Sequence, residues 1–165
     1  MRAAIRTAAW VAIASAMAVG CAESPVTVQL DFPALDYVRL SSTAQVSVFA
    51  TSGGSRCADL VLMATESGVD ASATATTPRK PLCQLRGGAA GVHDLRDGTY
   101  DFLVVTYAAD GKAMFAGCTH ATWDHGRPPV VVEVASPSDA ALAALSGLPP
   151  ATCPGLDDYC AGGCP

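Results

Sequence analysis

Seven cysteines carry the most distinctive chemistry of this chain: one near the N terminus, three in the middle and three near the C terminus. They are Cys21, Cys57, Cys83, Cys118, Cys153, Cys160 and Cys164. A thiol can form a disulfide, bind a metal as thiolate or accept an acyl chain. If one of the seven is used differently, the other six suit three disulfides in an oxidising compartment. Six cysteines allow 15 pairings, so the connectivity stays open.

Cys21 follows a segment with the features of an export signal. Residues 1–20 begin with Arg2 and Arg6, continue with an apolar, alanine-rich run and end in small residues, as secretory signals do. The run is shorter than the about 20 strongly apolar residues of a membrane-spanning helix. An Ala-Met-Ala site at residues 16–18 leaves ordinary signal cleavage as an alternative.

The sequence Ala18-Val19-Gly20-Cys21 resembles the lipobox of bacterial lipoproteins, although Ala18 stands where that family usually has Leu. The resemblance implies that residues 1–20 are removed as a signal peptide. It also implies that Cys21 carries the lipid, palmitate included, and that residues 21–25 form an anchor and a short tether. In Gram-negative members an Asp after the Cys favours the inner membrane. Ala22 at that position therefore indicates the outer membrane.

The charge of the chain limits its partners. Loss of Arg2 and Arg6 with the signal changes the net charge from −5 to −7, because all 15 acidic residues remain. So acidic a protein is a poor candidate for binding nucleic acid or anionic lipid through bulk electrostatics. The length that remains suits one domain.

Short apolar runs with period-two alternation dominate residues 26–135. We predict strands at residues 26–30, 44–50, 57–63, 100–107, 113–120 and 130–134. They are separated by Gly, Pro, Ser and Asp, which favours an all-β, antiparallel sandwich. Residues 66–81 and 87–91 are expected to be loops.

Residues 136–165 are expected to form one short C-terminal helix and a Cys-rich tail. Ser136-Pro137-Ser138-Asp139 offers an N-cap and a proline for the first turn, and residues 140–145 are good helix formers. Leu142, Leu145 and Leu148 are expected to pack on the sandwich. With three cysteines in the tail and three in the sandwich, complete pairing requires at least one bridge between the two parts.

The stretch Leu95-Arg96-Asp97-Gly98-Thr99-Tyr100-Asp101-Phe102 resembles the tyrosine corner of immunoglobulin-like (Ig-like) domains, and a similar phrase occurs in carboxypeptidase-regulatory-like sandwiches. The resemblance implies that Gly98 supplies the turn and that the Tyr100 hydroxyl bonds to upstream backbone. Phe102 stands where antibody-type domains have their second Cys, so an antibody-type core is not expected. Domains of this kind usually bind or scaffold, and fold alone does not fix function.

Two clusters are candidates for a site. Cys118, His120, Asp124 and His125 offer metal ligands, but their spacing matches no metal motif and a disulfide is the preferred interpretation for Cys118. Trp123 with Tyr107 and His120 could form an exposed aromatic patch, although a residue capping one end of the sandwich is favoured.

The sequence contains no nucleophile elbow, Walker loop or dinucleotide fingerprint, so we expect no catalytic residues, metal or cofactor. It predicts a non-catalytic, lipid-anchored envelope protein whose partner, beyond the membrane, is an unidentified envelope protein or carbohydrate. Two alternatives stay open. One is a secreted, disulfide-stapled binding module without lipid, and the other is a metal-dependent enzyme that uses His120 and His125.

Overall fold

The computed structural model describes residues 25–66, 72–88, 90–124, 128–149 and 156–162. Cys21 and the segment before it lie outside the described residues. In chain order the elements are β1 (Val26–Asp31), α1 (Leu35–Arg39), β2 (Thr43–Ala50), α2 (Cys57–Glu66), β3 (Ala75–Thr76), β4 (Lys80–Pro81), a 3₁₀ helix (Leu82–Gly88), β5 (Ala90–Val92), β6 (Gly98–Tyr107), β7 (Ala113–Trp123), β8 (Val130–Glu133), β9 (Ser136–Pro137), α3 (Asp139–Leu145) and α4 (Leu156–Cys160).

The larger of two sheets is antiparallel and has the strand order β3-β2-β6-β7-β9, with β4 also paired to β2. Its centre is β6, which pairs with β2 and β7 over almost its whole length. Every residue of β6 from Tyr100 to Tyr107 is buried, because both faces of the strand are covered. The sheet therefore lies between two apolar layers.

The smaller sheet has the order β5-β1-β8. β1 runs antiparallel to β5 but parallel to β8, in a register that aligns Val28 with Val130. The β-rich, two-sheet architecture is thus confirmed, whereas the expectation of purely antiparallel pairing is wrong at this pair. Between β1 and β8 the chain passes through the larger sheet, including β6 and β7. It then enters β8 in the same direction as β1.

The main core fills the space between the two sheets. Val28 and Val132 of the smaller sheet and Val46, Phe102 and Val104 of the larger one are fully buried in a single cluster. These residues alternate along their strands, as expected when one face of each sheet is turned inward. The shared apolar face is what holds the two sheets together.

Residues 57–63, predicted as a strand, form the first turns of helix α2, and that prediction is wrong. Leu60 and Ala64 are one helical turn apart and both are buried, while Leu62 between them is 56% exposed. The segment is mostly Ala, Leu and Met, which favour helix over strand. The Ser55 hydroxyl accepts the Cys57 N–H at the start of the helix (3.1 Å).

Helix α2 covers the outer face of the larger sheet. Leu60 and Ala64 pack there against Phe49, Leu103 and Val105 in a second apolar cluster. This layer of helix on sheet was absent from the predicted two-layer sandwich. It explains why β6 is apolar on both faces, a pattern typical of a central strand.

The predicted C-terminal helix is present as α3, but its N-cap is Ser138, two residues after the Ser136 that a proline at the first helical position would predict. The Ser138 hydroxyl accepts the Ala141 N–H (3.2 Å), and Pro137 belongs to β9. Ala141 is buried, whereas Leu142 is 53% exposed, so the expectation that Leu142 packs on the sheets is wrong. Leu145 does pack against the core, as expected.

The expectation of a single helix is also wrong, because α1, α2 and α4 accompany α3. In α1, Tyr37 stacks on the core residue Phe115 with ring centroids 4.3 Å apart. The two expected loops contain short elements as well: β3 and β4 in one, the end of the 3₁₀ helix and β5 in the other. Strands this short are set by pairing to longer neighbours, which local sequence does not reveal.

Gly117 in β7 allows β8 to cross close to the larger sheet. A Cβ at this position would collide with the Glu133 carbonyl and lie 2.9 Å from the Val134 Cα. The obstacle is backbone, so a side-chain rotation cannot relieve it. The path of β8 therefore depends on the absence of a side chain at residue 117.

We expect Gly117→Ala to lower the free energy of unfolding by about 1–3 kcal/mol, the usual cost of overpacking. Chemical denaturation followed by circular dichroism measures the change. Gly53→Ala is the matched control, since a Cβ at Gly53 meets nothing within 4 Å. Equal stability of the two variants would show that β8 does not need this close approach.

Candidate functional site

The most unusual polar group of the described chain is the Asp101 carboxylate, which lies in the apolar strand β6 and is 0% exposed. One of its oxygens, Oδ2, accepts the backbone N–H of Arg56 (2.7 Å). The other, Oδ1, lies 2.6 Å from the Nδ1 of His120. A buried carboxylate must be paired or hydrogen-bonded, and both oxygens of Asp101 meet that requirement.

The strand register explains how the pair forms. Asp101 and His120 are directly opposite each other in the β6–β7 ladder. Both side chains lie on the face of the sheet that α2 covers, because Leu103 and Val105, two and four residues after Asp101, belong to the α2 cluster. Arg56 directly precedes α2, so the carboxylate binds the start of that helix and favours it electrostatically.

A disulfide lies beside the carboxylate. Cys57, the first residue of α2, is bonded to Cys118 of β7. The two sulfurs and a carboxylate oxygen of Asp101 all lie within 4.8 Å of one another. The start of α2 is thus fixed to the sheet twice, by a covalent bond to β7 and by a hydrogen bond to β6.

The predicted cluster of Cys118, His120, Asp124 and His125 is only partly assembled. Cys118 and His120 share a face of β7, as expected, and Cys118 is oxidised. Asp124 is half-buried just beyond the strand, and His125 lies outside the described residues. Asp101, the partner of His120, was not predicted as a site residue, and Cys57 was predicted only as a disulfide candidate. A charged residue within the apolar run of β6 was the available signal for Asp101.

A second disulfide joins Cys83 in the 3₁₀ helix to Cys160 in α4. It is a bridge between the sandwich and the tail, the kind that cysteine arithmetic requires. Disulfide bonding is therefore confirmed for four of the six candidate cysteines. Cys153 and Cys164, like Cys21, lie outside the described residues.

Tyr100 has the geometry expected of a corner residue. Its hydroxyl donates to the Arg96 carbonyl four residues upstream (2.9 Å), and its ring is buried in the core. Gly98 lies against that ring: an added Cβ would come within 3.2 Å of it. The role of Gly98 is thus to leave room for the tyrosine, and its φ is not in the left-handed region.

The candidate aromatic patch does not assemble. Trp123 and Tyr107 are both buried and lie at opposite ends of the β6–β7 ladder, paired with Gly98 and Ala113 respectively. Trp123 packs into the main core at one end of the sheets. The preferred interpretation, a residue that closes one end of the sandwich, agrees with this position.

Tyr107 instead lines a groove of about 720 Å³ near the β6–β7 turn. The Arg79 guanidinium lies over the ring, 3.5 Å from its centroid, a cation–π contact. Lys112 adds a second cation to the groove wall, and Glu66 and Asp139 add two anions. The mixed charge defines no ligand class. Burial raises the pKa of the Tyr107 hydroxyl above 10.0, and the Arg79 charge opposes part of that rise.

No family model matches the chain, and no significant match was found among the curated proteins or the solved structures. Within the described ranges, no helix is both long and apolar enough to cross a membrane.

Replacing Tyr100 by Phe keeps the buried ring and removes only the hydroxyl that binds the Arg96 carbonyl. We expect a loss of about 1 kcal/mol in the free energy of unfolding, the usual net value of such a bond. Tyr107→Phe is a useful comparison, because its hydroxyl makes a longer bond to Gln45 (3.3 Å). Urea denaturation at neutral pH measures both. A Tyr100→Phe variant as stable as the native protein would contradict a structural role for the corner bond.

Tyr107 should make stability fall at alkaline pH. In the unfolded chain its hydroxyl loses its proton near pH 10, whereas burial keeps it protonated to higher pH in the folded protein. Above about pH 10 the unfolded state therefore binds fewer protons, and unfolding becomes easier as pH rises. We expect the stability difference between the native protein and Tyr107→Phe to shift in favour of the variant between about pH 8 and about pH 11. A stability difference that stays constant over this pH range would contradict the raised pKa of Tyr107 in the folded protein.

Proposed function

We propose that this protein is a non-catalytic, lipid-anchored module of the bacterial cell envelope that acts by interaction or structural support. The observation that carries the proposal is the use of its cysteines. Two disulfides take four of the seven, and Cys21, Cys153 and Cys164 remain. If the two tail cysteines form a third bridge, Cys21 is left over, and acylation is the chemistry that its lipobox-like context offers.

The position of Cys21 fits this role. Residue 25 is the first described residue and Val26 is buried in β1, so only residues 22–25 separate the proposed lipid from the domain. Four residues span at most about 14 Å when fully extended. The sandwich would therefore lie close to the membrane surface and bind partners in the envelope, an envelope protein or a carbohydrate, at short range.

We also propose that the two sheets form an Ig-like domain. The hydrogen bond from Tyr100 to Arg96 supports this assignment, since a tyrosine that bonds to upstream backbone is typical of the corner in such domains. Helix α2, which packs on the outer face of the larger sheet, is an element additional to the two sheets of an Ig-like domain.

The cluster of Asp101, His120 and the Cys57–Cys118 disulfide has a structural role, which supports a non-catalytic protein. Both oxygens of Asp101 are engaged, one by the start of α2 and one by His120. The neighbouring sulfurs are joined to each other. The metal-dependent enzyme needs a metal that His120 and His125 hold with a position open for substrate. In the oxidised protein, His120 instead binds a carboxylate whose other oxygen holds a helix.

The anchor is tested by the intact mass of the mature protein extracted from membranes with detergent, before and after reduction and alkylation. We expect a chain that starts at Cys21, carries acyl chains and gains six alkylated thiols only after reduction. Cys21→Ser should abolish the lipid and release the protein from the membrane fraction. A lipid-free mass starting near Val19 would contradict the proposal and favour the secreted binding module.

A second variant tests the choice of membrane. In the lipoproteins that the signal resembles, Asp after the lipidated Cys favours retention in the inner membrane. Ala22→Asp should therefore move the protein from the outer to the inner membrane on a density gradient. Ala22→Ser, which adds a polar group without charge, is the matched control and should stay in the outer membrane.

A further inference from the structure

Three side chains with metal-ligand atoms converge where α2 begins, and a fourth, His120, lies beside one of them. The sulfurs of Cys57 and Cys118 and a carboxylate oxygen of Asp101 lie within 4.8 Å of one another. The Nδ1 of His120 lies 2.6 Å from Asp101 Oδ1. Two thiolates, an imidazole and a carboxylate are ligands that Zn²⁺ accepts in a tetrahedral site. In the oxidised protein the two sulfurs are bonded to each other and do not serve as thiolate ligands.

We propose that reduction of the Cys57–Cys118 disulfide converts this cluster into a Zn²⁺ site with Cys57, Cys118, Asp101 and His120 as its ligands. The inference rests on the geometry of the cluster and does not depend on the lipid anchor. Because all four ligands come from the protein, no position is left open for a substrate. The site would be structural, consistent with a non-catalytic protein.

The geometry requires only local movement. Ligand atoms around tetrahedral zinc are about 3.3–3.8 Å apart, given metal–ligand bonds of about 2.0–2.3 Å. After reduction the sulfurs of Cys57 and Cys118 are no longer bonded to each other, and rotation of the two cysteine side chains allows them to separate to this spacing. His120 lies beside Asp101 but outside the 4.8 Å cluster of the other three ligands, so its ring would have to rotate toward the sulfurs. Its side chain is 35% exposed, so it has room to move.

The surroundings favour the thiolate form that zinc needs. Cys57 is the first residue of the 10-residue helix α2, where the positive end of the helix dipole stabilises an anion. Oδ2 of Asp101 keeps accepting the Arg56 N–H, which leaves Oδ1, the oxygen beside His120, available for the metal. Such a partner for a ligating carboxylate is the usual outer shell of a zinc site.

The reaction balances with a phosphine as reductant. One phosphine and one water become the phosphine oxide, and the two electrons and two protons they supply convert the disulfide into two thiols. Zn²⁺ then displaces one proton from each thiol. The proton held between Nδ1 and Oδ1 leaves for Nε2 or for water, so that both atoms become ligands.

The test is a titration of the full chain with Co²⁺ and then Zn²⁺, after reduction by a phosphine and without air. Co²⁺ bound by thiolates in a tetrahedral site gives a sulfur-to-metal charge-transfer band and intense visible bands, and Zn²⁺ bleaches both. All thiols of the chain are reduced, including those of the tail. The decisive comparison is therefore with Asp101→Asn and His120→Ala, which leave every cysteine in place.

We expect each of these two variants to lose more than about 100-fold in affinity for the site, because loss of a merely outer-shell partner typically costs about 10–100-fold. Cys57→Ser combined with Cys118→Ser should remove the site. The site should be retained in His93→Ala, which changes an exposed histidine just after β5, and in Cys83→Ser combined with Cys160→Ser. Circular dichroism before reduction shows whether each variant is folded, and His120→Ala, at a partly exposed position, preserves the test if Asp101→Asn does not fold.

Two results would overturn the proposal. One is a reduced His120→Ala or Asp101→Asn protein that is folded and binds both metals like the native chain, since the metal would then belong to the tail cysteines. The other is an oxidised protein that binds as tightly as the reduced one, because thiolates from Cys57 and Cys118 would then be unnecessary.

Discussion

The whole architecture depends on β6 being buried on both faces. One face supplies Phe102 and Val104 to the core between the sheets, and the other supplies Leu103 and Val105 to the layer under α2. A strand covered on both sides must satisfy its backbone through its neighbours, and β2 and β7 do so over most of its length. The other strands of the larger sheet are arranged around β6. The two-residue strands β3, β4 and β9 pair at its edges.

Within that arrangement Asp101 is an exception that the fold accommodates. Placing a carboxylate on a fully buried strand costs several kcal/mol unless it is paired and hydrogen-bonded. The start of α2 supplies a backbone N–H and β7 supplies His120. The carboxylate in turn fixes where α2 begins, directly beside Cys57. Burial of the Asp101 carboxylate and placement of the start of α2 therefore depend on the same hydrogen bond.

Sequence patterns predicted the strands that show apolar alternation or a run of aromatic and β-branched residues. They missed features that depend on tertiary contacts. β1, β2, β6, β7 and β8 were found near their predicted positions because apolar periodicity is local information. The segment 57–63 alternates weakly, and its helical form follows from Leu60 and Ala64 packing on the sheet. The pairing of Asp101 with His120 requires the β6–β7 register, which shifts between Val105 and Tyr107 and so is not set by the turn alone. Cysteine arithmetic required a bridge to the tail but gave no connectivity, which only the fold determines.

The two disulfides have different relations to the core. The Cys83–Cys160 bridge ties α4, a short helix, to the 3₁₀ helix beside β1 and β2. The Cys57–Cys118 bridge joins α2 to a sheet on which that helix already packs. Their sequence separations of 77 and 61 residues imply similar chain-entropy contributions of about 4 kcal/mol each. Packing on the sheet and the Asp101 hydrogen bond hold α2 independently of its disulfide. The helix would therefore stay in place if the two sulfurs exchanged their bond for a metal, as the proposed zinc site requires.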